Sequence, residues 1–222
     1  YTEQIKLAQA KPVFIPTSQK EQFQLTARQL EKYITDKTKL LLLNSPNNPT
    51  GSVYDPAELE KIAKLLVQKD IYCLSDEIYE KLVYDGVKHI SIASLGPEIK
   101  KRVILVNGVS KSYAMTGWRI GYAAGAEEII SGMGKFQGHC TSNANSIAQK
   151  ASVEALTGDQ SSITKMHDEF DKRRKFMVAQ LNEIKGFQCD LPKGAFYAFP
   201  DVTNLLDAGI IFDGEEIKTS LQ

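Results

Sequence analysis

Lys111, Asp76 and Asn48 each stand just beyond an apolar run, where strand ends of an open α/β sheet face a crevice. Lys111 follows Val103 to Val106 and a Gly and Ser turn, with Arg119 eight residues on and two hydroxyl residues and the only Trp between them. An amine so placed can form a Schiff base, and the planar fork of an arginine suits a cofactor phosphate. Asp76 follows Ile71 to Ser75, where a carboxylate can face a heterocyclic nitrogen. Tyr79, three residues on, comes to the same side if the chain turns helical there. A competing reading makes Asp76 a helix cap. Asn48 lies in Ser45-Pro46-Asn47-Asn48-Pro49-Thr50-Gly51, more turn residues than a plain connection needs. That excess predicts a rigid loop aiming Asn48 into a site, with Ser45-Pro46 or the Asn47 to Pro49 stretch supplying one cis bond.

The elements that must position these residues alternate. A helix end over Tyr1 to Ala10 precedes a short strand at Val13 to Ile15, bracketed by Pro12 and Pro16. Thr26 with Gln29 forms a capping box for a short helix, and Lys39 to Asn44 reads as a strand buried on both faces. Asp55-Pro56-Ala57-Glu58 starts a helix with Leu59, Ile62, Ala63 and Leu66 on one face, leading into the strand before Asp76. Strand, helix, strand makes a βαβ unit, and a helix-like stretch from Ile90 to Lys101 repeats the pattern before Val103. Three strand ends therefore deliver Asn48, Asp76 and Lys111 to one edge of a mainly parallel sheet. Ile120 to Ala124 reads as another strand. Helices follow from Glu127 through Phe136, and from Ser142 with a stripe of Ala144, Ala148, Ala151 and Ala155. Thr157-Gly158-Asp159 breaks the second, and Ile163 to Ile184 marks a long amphipathic helix with Arg173, Arg174 and Lys175 on its wet face. After Gly186 the segments shorten around a strand-like run, Ala195 to Phe199.

Composition narrows the function. The 222 residues carry 27 Lys plus Arg against 27 Asp plus Glu, so neither nucleic acid nor an anionic membrane is indicated as partner. No run approaches the roughly 20 apolar residues of a membrane span, and Tyr1 to Lys11 lacks the regions of a signal peptide. Cys73, Cys140, Cys189, His89, His139 and His167 are scattered, without metal-ligand or disulfide spacing. A soluble cytoplasmic enzyme of small molecules is expected, with reduced thiols. No Gly-x-Gly-x-x-Gly or P-loop follows a strand, which argues against a nucleotide-binding domain.

Asn-Asn-Pro-Thr-Gly at Asn47 to Gly51, Ser-Asp-Glu-Ile-Tyr at Ser75 to Tyr79, and the run from Ser110 to Tyr122 together resemble the fold-type I pyridoxal-phosphate enzymes. Within these the chain is similar to the class I aminotransferases, above all the bacterial-type aspartate aminotransferase subgroup. The resemblance implies an α/β fold: a mainly parallel sheet flanked by helices, plus part of a small α+β domain. It places the cofactor-binding domain at 1–158 and an interdomain helix with the start of the small domain at 159–222. Lys111 would then join C4′ of pyridoxal 5′-phosphate through an imine, Asp76 would pair with the pyridine nitrogen, Tyr79 and Asn48 would bind O3′, and Arg119 with Ser110 the phosphate. An amino acid such as aspartate and a 2-oxo acid such as 2-oxoglutarate are the implied substrates, and a homodimer the implied assembly. Aromatic or prephenate aminotransferases, β-eliminating or cyclising relatives, and an inactive remnant of the fold remain alternatives. The family's phosphate loop and ring-stacking aromatic would precede Tyr1, and its carboxylate-binding arginine would follow Gln222. The chain is thus expected to be a piece of something longer and to bind cofactor poorly alone.

Overall fold

Three parallel strands and one antiparallel strand make the sheet on which the chain is built, in the order β1-β2-β3-β4. The computed structural model describes residues 1–207, 209–212 and 215–217. Helices α1 (Thr2–Leu7) and α2 (Ala27–Tyr33) precede the sheet. Helix α2 starts where the capping box predicts: Thr26 Oγ1 accepts the Gln29 N–H at 3.1 Å and Gln29 Oε1 accepts the Thr26 N–H at 2.9 Å. Between them, Pro12 to Pro16 forms no strand, contrary to expectation. Prolines at both ends remove donors, Val13 and Phe14 stay exposed, and only Ile15 packs on the core.

Strands β1 (Leu40–Asn44), β2 (Tyr72–Asp76) and β3 (Val103–Gly108) are joined by crossovers. The first crossover is α3 (Pro56–Gln68), capped by Asp55 Oδ1 on the N–H groups of Ala57 and Glu58. Its buried face, with Leu59, Ile62 and Leu66, packs against Leu41, Leu43 and Cys73 of the sheet. A side chain buried as completely as Ile62 contributes about 1.5 to 3 kcal/mol. The second crossover is a 3-10 turn at Ile92–Ser94 and the single-turn α4 (Pro97–Lys100).

Strand β4 (Gly121–Ala124) returns antiparallel beside β3. Helices α5 (Glu127–Thr141), α6 (Ser146–Thr157) and α7 (Ser161–Glu183) follow. Helix α6 starts at Ser146 rather than Ser142, because the Asn145 side chain accepts the Ala148 N–H at 3.0 Å and fixes the start. Among the described residues no helix is long and apolar enough to cross a membrane.

Helix α7 corrects the expected solvated face. Arg173 and Lys175 are exposed, pairing with Glu169 and Asp171, but the Arg174 side chain is only 3% exposed. Its guanidinium donates to Asp85 Oδ2 at 2.8 Å and the Pro192 carbonyl at 2.7 Å, also pairs with Asp171, and lies 4.4 Å from the centre of the Tyr84 ring. The run Ala195 to Phe199 is likewise no strand; nearby, Gly194 bridges Val83 and Gln188 bridges Asp201. The described chain closes with α8 (Thr203–Asp207), β5 (Ile210–Phe212) and β6 (Glu215–Ile217).

Candidate active site

At the ends of the parallel strands Asn44 stands opposite Asp76 and Asp76 opposite Val106, and β3 runs two residues further to Gly108. Asn44 ties the first two loops together: its amide donates to the Asp76 carbonyl at 3.1 Å, and its Oδ1 accepts the Asn48 N–H at 2.9 Å. Within the Asn48 loop, Asn47 Oδ1 accepts the Thr50 hydroxyl at 2.8 Å, and the Asn47 carbonyl accepts the Gly51 N–H at 2.9 Å. Ser45-Pro46 and Asn48-Pro49 are both cis, where one cis bond was expected. The loop brings the Asn48 side chain near enough to the Tyr79 hydroxyl to favour its ionised form slightly.

Asp76 presents two occupied oxygens. Oδ1 accepts the Ile78 N–H at 3.2 Å, and Oδ2 accepts the hydroxyl of Tyr1. The helix-cap reading is met only as far as that first turn, because Glu77 to Lys81 continues as turns instead of a helix. One such turn, with the Glu80 N–H bonded to the Glu77 carbonyl at 2.9 Å, still carries Tyr79 into the field of Asp76.

Tyr79 is buried, and its hydroxyl pairs with that of Tyr197. Burial, then the Tyr197 contact and the charge of Asp76, push its phenol well above the ordinary tyrosine value, with the Asn48 hydrogen bond opposing. Tyr79 therefore keeps its proton at neutral pH and can donate it. Lys111 brings its Nζ to 5.8 Å from the Tyr79 ring centre and 5.6 Å from that of Phe196.

Ser110 and Arg119 belong to a loop closed on itself. The Thr116 hydroxyl donates to the Ser110 carbonyl at 3.1 Å, and Arg119 Nη1 donates to the Thr116 carbonyl at 2.8 Å. Arg119 is exposed and joins Trp118, Gly117 and Asn145 in lining an open cavity of about 540 Å³. The structure thus clusters Asn48, Asp76, Tyr79 and Lys111, while Ser110 and Arg119 connect to them through the loop that Thr116 braces.

On the opposite face of β2 the alternation of the strand buries Ser75 and Glu77. Glu77 accepts the hydroxyls of Ser75 and Ser91, each at 2.8 Å, and pairs with His89 Nε2 at 2.8 Å. His89 is accordingly a buried partner of Glu77. Burial pushes the Cys73 thiol on this face up to about 12, with Glu77 adding to the rise.

Sequence reading missed Tyr1, Asn44 and Tyr197. Asn44 was legible as the last residue of a strand; Tyr1 and Tyr197 reach the site over 75 and 118 residues, which no local pattern encodes. The donor set fits pyridoxal phosphate: a strand-end carboxylate for a ring nitrogen, a phenol and an amide converging for a phenolic oxygen, an amine beside them, and a guanidinium over open space for a phosphate.

The chain matches the family described as Aminotransferase class I and II over residues 1–218. It is 47% identical over 221 residues to the aspartate aminotransferase of Bacillus subtilis (strain 168), covering 100% of this chain and 56% of that protein. Against the aspartate/prephenate aminotransferase of Nitrosomonas europaea it is 45% identical over 203 residues, covering 91% and 51%. The crystal structure of the Rhizobium meliloti aspartate aminotransferase superposes with a TM-score of 0.95 at 41% identity, covering 100% of this chain and 55% of that one. The chain spans about half the length of the curated relatives it matches. With the strand order, the three loop motifs and the converging donors, these matches place the chain in the class I and II aminotransferases.

Proposed function

We propose that this chain carries the cofactor-binding residues of a cytoplasmic, homodimeric aminotransferase that moves the amino group of aspartate to a 2-oxo acid, 2-oxoglutarate in the first instance. Residues 1–158 would form the cofactor-binding domain, and 159–222 the interdomain helix and the start of a small domain. The observation that carries the proposal is the placing of the Lys111 amine 5.8 Å from the ring centre of Tyr79, a buried phenol in the field of Asp76. Class I aminotransferases such as aspartate aminotransferase use pyridoxal 5′-phosphate. Its ring, when bound, accepts the electrons left at the substrate Cα after proton loss.

The chain's own residues supply the rest. Lys111 would hold the cofactor covalently through its amine and, when that amine is free, would move a proton to and from the substrate Cα, a role worth about 10² to 10⁴ in rate. Asp76 would place its negative charge beside the ring nitrogen and favour the protonated form of that nitrogen. Tyr79 and Asn48 would donate to the phenolic oxygen, orienting the ring and stabilising negative charge on that oxygen. Arg119 would grip the phosphate with paired charge-assisted bonds, and Ser110 would add a further donor.

A second reading, transamination of an aromatic amino acid or of prephenate, is favoured by the similarity to the Nitrosomonas europaea protein and uses the same cofactor residues. The test of the main reading is to titrate the protein with pyridoxal phosphate and fix the imine band with borohydride. The label is expected on the peptide containing Lys111, and a Lys111→Ala variant that keeps the band rules the assignment out. Conversion of the band by aspartate, tested against phenylalanine and prephenate-derived amino acids, separates the two substrates.

A further inference from the structure

Tyr197 lies outside the loops that carry Asn48, Asp76 and Lys111, yet its hydroxyl pairs with that of Tyr79. The two rings stand edge to face, 5.6 Å apart at 79°. Backbone bonds set this pair. The Ala195 N–H donates to the Leu82 carbonyl at 2.8 Å, the Tyr84 hydroxyl donates to the Ala195 carbonyl at 2.6 Å, and the Gly194 N–H donates to the Gly51 carbonyl at 2.8 Å. Leu82 lies three residues beyond Tyr79, and Gly51 three beyond Asn48. The segment bearing Tyr197 is therefore fastened to the same two loops that carry Tyr79 and Asn48. Phe196 fills the remaining side, stacked on Phe170 at 5.2 Å and edge-on to Tyr79 at 5.3 Å.

A phenol has one proton to give and lone pairs with which to accept. When Tyr79 spends its proton on an oxygen in the site, its own oxygen can only accept, so Tyr197 becomes the donor of the pair. Chained donors polarise one another, and Tyr79 then donates more strongly. Resting on the reading above, in which Tyr79 binds the phenolic oxygen of pyridoxal phosphate, we infer that Tyr197 is a positioning residue: it donates to Tyr79, aims the Tyr79 proton at that oxygen and so lowers the basicity of the imine on Lys111. The sign follows from the competition of imine nitrogen and phenolic oxygen for one proton. A stronger donor on the oxygen leaves its negative charge better stabilised and the nitrogen easier to deprotonate.

The experiment is a pH titration of the imine band of the holoenzyme in the wild type, Tyr197→Phe, Tyr79→Phe and the double variant. Each Phe keeps the ring, so the edge contacts survive. Tyr197→Phe is expected to raise the titration midpoint by about half a unit, the weight of one neutral hydrogen bond. In the Tyr79→Phe background the same change is expected to add nothing. An unchanged midpoint in Tyr197→Phe overturns the inference, as does an equal rise in both backgrounds, because Tyr197 would then act independently of Tyr79. A wild-type protein with no band that borohydride can fix removes the parent reading, and this inference with it; a band present but insensitive to Tyr197 removes only the inference.

Discussion

Gly194 donates its N–H to the carbonyl of Gly51 at 2.8 Å, and the two backbones meet where neither residue has room for a side chain. A Cβ on Gly194 would lie 2.6 Å from Pro46 Cβ and 2.7 Å from Val53 Cγ2, and one on Gly51, at φ +66°, would overlap Pro192. Gly194→Ala is expected to cost about 1 to 3 kcal/mol, as overpacking does. Denaturant unfolding should show a lower midpoint with an unchanged slope, and a midpoint equal to the wild type would contradict this.

Arg174 gives an acid-side prediction. Its hydrogen bonds hold the Asp85 carboxyl below the usual range, while Lys175 first and Arg174 second do so for Asp171. Groups depressed in the folded state bind more protons when unfolded, so the stability they bring is complete above about pH 4 and is lost as pH falls through their folded values. Arg174→Met, which also orphans the Pro192 carbonyl, is expected to lose about 2 kcal/mol near neutrality and to unfold with a shallower dependence on pH below about 4. Thermal melts across that range check both.

Asp76→Asn removes the negative charge and keeps the shape. If the carboxylate holds the ring nitrogen protonated, conversion of the cofactor band by aspartate slows by about 10² or more. Tyr1→Phe takes one hydrogen bond from the same carboxylate and is expected to slow it by no more than about tenfold. Stopped-flow absorbance compares the two, and an Asp76→Asn variant as fast as the wild type leaves the carboxylate a turn-former alone.

Thiol labelling tests the burial pattern. Cys140 is exposed, whereas burial pushes up the Cys73 and Cys189 thiols, the former to about 12. At pH 8 a thiol reagent is expected to modify Cys140 quickly and the other two only on unfolding, as peptide mass spectrometry would show. Rapid native labelling of Cys73 would mean that the face of β2 behind Asp76 opens readily.

Local chemistry was readable because it acts over a few residues. Asp55 capping α3, the box of Thr26 and Gln29, and the strands ending at Asn44 and Asp76 all depend on near neighbours, and each stands where its residues point. The misreadings depend on distant ones. Arg174 carries the residue type of a wet face, but Asp85 and Pro192 arrive from other parts of the chain to bury it. Ala195 to Phe199 has the composition of a strand, yet its first residue takes φ +58° and is held by Leu82 and Tyr84. Val13 and Phe14 are apolar without a partner strand to bury them. In the site, the motifs marked Asn48, Asp76, Tyr79 and Lys111, whereas Tyr1 and Tyr197 could be found only in three dimensions.

The end of β2 sets two carboxylates side by side with opposite surroundings: Asp76 turned to the loops of Tyr79 and Lys111, and Glu77 sealed behind with His89, Ser75 and Ser91. A strand's faces exchange with every residue of slip. Removing one residue from β2 would swap the two acids, moving the one satisfied by hydroxyls and imidazole into the open cluster and sealing the other in its place. At this strand end the spacing of the chain is as much a determinant as the identity of either acid, and a frame change of one residue would do harm that no single substitution there reproduces.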